Sequence, residues 1–73
     1  LDTFLDLAET RSFHRTAERL RITQSTVSAR VTALEQAVGS RLFDRSRAGT
    51  DLTPEGKRFE PHARALRHEW NEA

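Results

Sequence analysis

The stretch that decides the fold is Ser12 to Glu35, SFHRTAERLRITQSTVSARVTALE. Phe13, Ala17 and Leu20 fall on one face of a short helix, and Ser12 stands before it as a side-chain acceptor for the free N–H groups of its first turn. The pattern breaks at Arg21-Ile22, and Thr23 offers the next cap. Ile22 and Val27 occupy the two positions of a hydrophobic staple around that cap. Val27, Val31, Leu34 and Val38 then step by 4, 3 and 4 along one face, and Gly39 is the expected left-handed residue that closes the helix. Two such helices joined by a short turn form a helix-turn-helix.

Working outward, Leu1, Phe4, Leu5 and Ala8 make the stripe of a preceding amphipathic helix that ends at Thr10-Arg11-Ser12. On the other side, Leu42-Phe43 and Leu52-Thr53 read as strand-like pieces around the polar segment Arg45 to Asp51, with Ala48-Gly49 as the tip of a hairpin. Thr53-Pro54 is a cap followed by proline at the first helical position. The last helix is expected to run from Pro54 almost to Ala73, about 30 Å, with a bend at Pro61. Its stripe is Phe59, Ala63, Leu66 and Trp70. Such a seam is longer than a small domain covers, so it predicts a two-fold dimer through residues 54–73.

The composition bounds the function. Seventy-three residues with seventeen large apolar side chains and no cysteine give one thin core, no disulfide and no thiolate metal cage. An enzyme is excluded on size and because no nucleophile–base or metal constellation is visible. The histidines, His14, His62 and His68, share no ligand spacing and read as surface residues. No apolar run is long enough for a membrane span. The chain opens at Leu1 and contains no Met, as expected of a piece of a longer protein. The net charge of +1 conceals a polarity: residues 11–47 hold eight arginines against Glu18, Glu35 and Asp44, while both flanks are net acidic. A basic middle third is the electrostatic footprint of an anion-binding face, although charge alone equally fits a solvated mixed surface.

The third helix has the chemistry to use that charge. At about 100° per residue from Val27, Ser25, Ser28, Ala29 and Thr32 point away from the core stripe. Small hydroxyl residues allow close approach and can donate or accept, and Gln24 in the first turn can pair with an adenine edge. Taken singly, each Ser or Thr here is also an ordinary cap and each arginine an ordinary surface residue. A winged helix used for protein contact is the alternative, but it needs an apolar outer face.

At this level of detail Ser12–Glu35, together with LFDRSRAGTDLTPEG from Leu42 to Gly56, resembles the LysR-type transcriptional regulators. The matching pieces are Ser12-Phe13, Ala17-Glu18, Leu20, Thr23-Gln24-Ser25, Val27-Ser28, Leu34-Glu35, Gly39, Leu42-Phe43, Arg45, Leu52-Thr53 and Gly56. The resemblance implies a mostly α winged helix-turn-helix DNA-binding domain over residues 1–53. A linker helix for dimerisation, through Phe59, Ala63, Leu66 and Trp70, would follow over 54–73. It further implies base readout by Gln24, Ser25, Thr26, Ser28 and Arg30, backbone contacts by Arg15, Thr23 and Thr32, and wing contacts by Arg45 or Arg47. The implied partners are a pseudo-palindromic duplex and a second copy of the chain, in the bacterial cytoplasm. No cofactor is expected in this domain, and a small-molecule effector would act only through a further C-terminal domain. Two departures stand out: Ala29 occupies a position that is often basic in the family, and the wing arginine is Arg47 where the family often places it at the position of Ala48.

Overall fold

The computed structural model describes residues 2–46 and 49–72. Their order is α1 (Asp2–Thr10), α2 (Phe13–Leu20), α3 (Gln24–Val38), β1 (Phe43–Ser46), β2 (Gly49–Leu52) and α4 (Pro54–Glu72). The caps lie where residue chemistry put them. The Ser12 hydroxyl accepts from the Arg15 N–H at 3.1 Å, and that of Thr23 accepts from the Thr26 N–H at 3.0 Å. Gly39 closes α3 at φ 82°, and the Thr53 hydroxyl accepts from the Gly56 N–H at 3.0 Å to open α4. The two remaining stops are not glycines. Arg11 and Arg21 sit in the left-handed region at φ 55° and 58°, and the Ile22 N–H returns to the Ala17 carbonyl at 3.0 Å to seal the turn between α2 and α3.

The core is built on aromatics that meet from three elements. Phe4 of α1 lies between Phe43 of β1, at a centroid distance of 5.4 Å, and Phe59 of α4, edge-on at 5.2 Å. Leu7, Val27, Leu42 and Ala63 are fully buried around them. Thr16 is buried as well, and its hydroxyl meets that of Thr10 at 2.7 Å, so the polar atom is satisfied inside. Gly56 allows α4 to start against the ribbon: a Cβ there would overlap the Leu42 carbonyl oxygen and stand 2.9 Å from Leu52 Cδ2.

Two sequence expectations change. The expected hairpin forms, but its strands lie further into the polar segment than Leu42-Phe43 and Leu52-Thr53, with Phe43 opposite Leu52, Asp44 opposite Asp51, Arg45 opposite Thr50 and Ser46 opposite Gly49. A two-stranded ribbon needs only one buried face, and Phe43 with Leu52 supplies it at the base. The helix α4 runs on through Pro61, in keeping with the expectation that this proline does not end it. Its stripe is divided: Phe59 and Ala63 join the domain's own core, whereas Leu66 is 40 % exposed. Phe59 and Ala63 are therefore core residues rather than an open seam, because α1 lies against this half of the helix. The side chain of Trp70 lies outside the described residues. The architecture is a winged helix-turn-helix followed by a long fourth helix.

Candidate nucleic-acid interface

Val27 and Val31 face the core, so the geometry of an α-helix turns Ser25, Ala29, Thr32 and Gln36 outward, and all four are exposed. This side of α3 is small and polar at its start. Within its first turns the hydroxyls of Thr23 and Thr26 bond each other at 2.8 Å, completing the cap. Gln24 is exposed, and its amide nitrogen stands 3.2 Å from Nδ1 of His14 on α2.

The wing is fastened to this face. The two-residue period of β1 puts Arg45 on the same side as buried Phe43, toward the helices. Its guanidinium lies 3.8 Å from the centroid of the Phe13 ring and donates to the Ser28 hydroxyl at 3.0 Å. Glu35, one turn before the end of α3, accepts from the Leu42 and Phe43 N–H groups at 2.8 and 3.3 Å, with Arg41 at 3.8 Å from the same oxygen. Together these bonds set an open groove between α3 and β1, lined by Ser28, Thr32, Glu35, Arg41 and Arg45.

The arginines divide into two groups. Away from this face several are neutralised: Arg19 bonds Asp6 at 2.7 Å, Arg67 meets Asp2 at 3.1 Å and Arg64 meets Glu60 at 3.1 Å, whereas Arg30 has a hydroxyl partner, Thr3, in place of a carboxylate. The hydrogen bond from Arg19 to Asp6, and then the charge of that carboxylate, raise the Arg19 guanidinium above its ordinary value. On the helix-turn-helix side, Arg15, Arg21 and Arg45 pair with no carboxylate among the described residues. Positive charge is thus left unspent where α2, α3 and the wing meet.

Most of the residues singled out in the sequence come together here: Gln24, Ser25, Ser28 and Thr32 along α3, Thr23 and Thr26 in its cap, Arg15 at the start of α2 and Arg45 on the ribbon. Arg30 does not. Its guanidinium donates to the Thr3 hydroxyl at 3.3 Å and lines a hollow between α1 and α3 with Asp2 and Leu34. It lies about 160° around the helix from Ser28, so the expectation of a shared face is not met. Arg47 and Ala48 lie outside the described residues. Sequence reasoning missed Phe13 and Glu35 as supports of the wing, and His14 as a partner of Gln24. Only Glu35 left a signal, as a carboxylate one turn before a helix end and beside free backbone N–H groups.

A winged helix-turn-helix with a polar, positively framed third helix is a recognised class of module, and the comparisons specify which. Residues 1–57 match the family described as bacterial regulatory helix-turn-helix protein, lysR family. The HTH-type transcriptional regulator HdfR of Yersinia pestis is 47 % identical over 70 residues, which is 96 % of this chain and 24 % of that protein. Among solved structures, Vibrio fischeri DarR in complex with DNA has a TM-score of 0.91 and 38 % identity over 96 % of this chain and 24 % of its own. The BenM_DBD/catB site 1 DNA complex has a TM-score of 0.87 and 30 % identity over 96 % of this chain and 79 % of its own. The chain belongs to the lysR family of bacterial regulatory helix-turn-helix proteins, and it spans about a quarter of the length of the curated relatives it matches.

Proposed function

We propose that this chain is the DNA-binding domain of a bacterial transcription regulator that reads double-stranded DNA with the first turns of α3 in the major groove. The observation that carries the reading is the division of the arginines. Arg15, Arg21 and Arg45 lie on α2, at its end and on the wing beside α3 without acidic partners among the described residues, while Arg19, Arg64 and Arg67 on the other side of the domain are paired. Phosphates are the counterions such a frame accepts. In this reading Gln24, Ser25 and Ser28 meet base edges, with Thr32 and Arg15 on the backbone; Thr23 and Thr26 hold the helix end whose N–H groups favour a phosphate. Use of this face for protein docking would need apolar groups, and Ser25, Ala29, Thr32 and Gln36 provide none of any size.

The same reading makes the domain a binding module without a catalytic step or a cofactor, working in the cytoplasm on a pseudo-palindromic site. Two copies would pair through the second half of α4, where Leu66 is exposed, and effector sensing would belong to the remainder of a longer protein. The test is a binding titration on random duplex across salt, followed by selection from a random DNA pool. The affinity should fall linearly on a log–log plot, and Arg15→Ala should flatten the slope by about one unit. The pool should converge on two half-sites about one helical turn apart. A salt-independent affinity, or a pool that never converges, contradicts the proposal.

A further inference from the structure

We infer that His14 is a positioning residue for base readout: a Glu18–His14–Gln24 hydrogen-bond chain orients the Gln24 amide toward an adenine edge. This rests on the reading of α3 as the major-groove helix. Oε1 of Glu18 lies 3.1 Å from Nε2 of His14, one turn along α2. A carboxylate only accepts, so Nε2 carries the hydrogen, and in the neutral ring Nδ1 is left with its lone pair outward. The Gln24 nitrogen at 3.2 Å is then the donor. The opposite amide orientation would bring two acceptors face to face.

The consequence lies on the far side of the amide. One N–H is spent on the ring. The other N–H and the carbonyl oxygen remain side by side, a donor beside an acceptor, and this pair matches N7 and N6 of adenine. An unrestrained glutamine samples many rotamers and both amide orientations, and it loses that freedom on binding. His14, in the first turn of α2, removes part of that loss beforehand for Gln24 at the start of α3. Both side chains are exposed, so the chain is built on the surface that would meet DNA and does not serve the core.

The experiment measures, in the full-length regulator, the preference for adenine over the other bases at the selected position read by Gln24. His14→Ala should reduce that preference about three- to tenfold, the worth of one hydrogen bond, with binding to random duplex and its salt slope unchanged. His14→Asn, whose Oδ1 can stand near the place of Nδ1, should restore the preference. Gln24→Ala should abolish it, and adding His14→Ala to that variant should change nothing further. If Gln24→Ala loses the preference but His14→Ala keeps it, the relay is wrong and the DNA reading stands. If Gln24→Ala leaves base preference intact, the assignment of Gln24 fails and the relay with it. A uniform loss on all DNA with a flatter salt slope for His14→Ala would make His14 a phosphate contact and overturn the inference.

Discussion

Helices α3 and α4 carry the same apolar spacing, and the fold uses it differently in each. Val27, Val31, Leu34 and Val38 step by 4, 3 and 4, as do Phe59, Ala63, Leu66 and Trp70. In α3 the first two residues are buried, and by Val38 the stripe is 40 % exposed. There Gly39 stops the helix, and Glu35 fastens the next strand to its last turns. In α4, Phe59 and Ala63 enter the core, Leu66 is 40 % exposed, and the helix continues to Glu72. Periodicity reports which side of a helix is apolar; what covers that side depends on where its neighbours end. The first half of α4 is a core helix of the domain, and from Arg64 to Arg67 its side chains are exposed.

The contrast is broken most severely by a charge. Ala63→Asp places a carboxylate in a site with no exposure, and should destabilise the domain by at least about 3 kcal/mol, enough to unfold a chain this small. Leu66→Asp, one turn later, should change unfolding of the monomer by about 0.5 kcal/mol or less while weakening self-association. Urea unfolding at low protein concentration, paired with sedimentation, separates the two. Equal destabilisation by both would mean that the whole of α4 belongs to the core.

The next effect compares two glycines. Gly56→Ala drives a methyl against the Leu42 carbonyl oxygen, where backbone must move, and should cost about 1–3 kcal/mol. Gly39→Ala meets nothing within 4 Å, and its cost is only that of holding an L-residue at φ 82°, about 1–2 kcal/mol. Thermal unfolding of the pair checks it. A second change, Leu52→Val, trims the flexible neighbour and should leave the Gly56→Ala penalty largely in place, because the closest obstacle is backbone.

How much of this was legible in the sequence follows from where each signal resides. Ser12, Thr23, Gly39 and Thr53 announced their helix ends because the residue type itself performs the capping. The ends at Arg11 and Arg21 showed only as breaks in the apolar pattern, and their conformation did not show at all, since nothing in an arginine advertises a left-handed backbone. The hairpin was legible from its Gly49 turn and its flanking apolar pairs, but the extent of its strands was not, because Asp44, Arg45 and Asp51 are polar and only cross-strand pairing makes them strand residues. Arg30 illustrates a different failure. Its angle, about 60° from Val27, already placed it beside the core stripe, and family resemblance overrode that geometry. The bonds from Arg45 to Ser28 and Phe13 join residues far apart in sequence, so they become visible only once the ribbon is folded back.

The smallest expected effect concerns what holds the outgoing half of α4. Beyond Ala63, α4 meets α1 through the ion pair of Arg67 with Asp2 at 3.1 Å, whose side chains are 49 % and 76 % exposed. Water screens such a pair and two long side chains must be ordered to form it, so it should contribute about 0.2–1 kcal/mol. A double-mutant cycle with Asp2→Ala and Arg67→Ala, read by urea unfolding at low and high salt, isolates that coupling. The coupling should shrink as salt rises, because both groups face solvent. At the other helix, Glu35→Ala removes an acceptor shared by two backbone N–H groups and should cost more than the entire ion pair, about 1–3 kcal/mol, with little salt dependence. A large, salt-insensitive coupling between Asp2 and Arg67 would instead mean that the second half of α4 is docked as firmly as the end of α3, and the distinction between the two helices would fail.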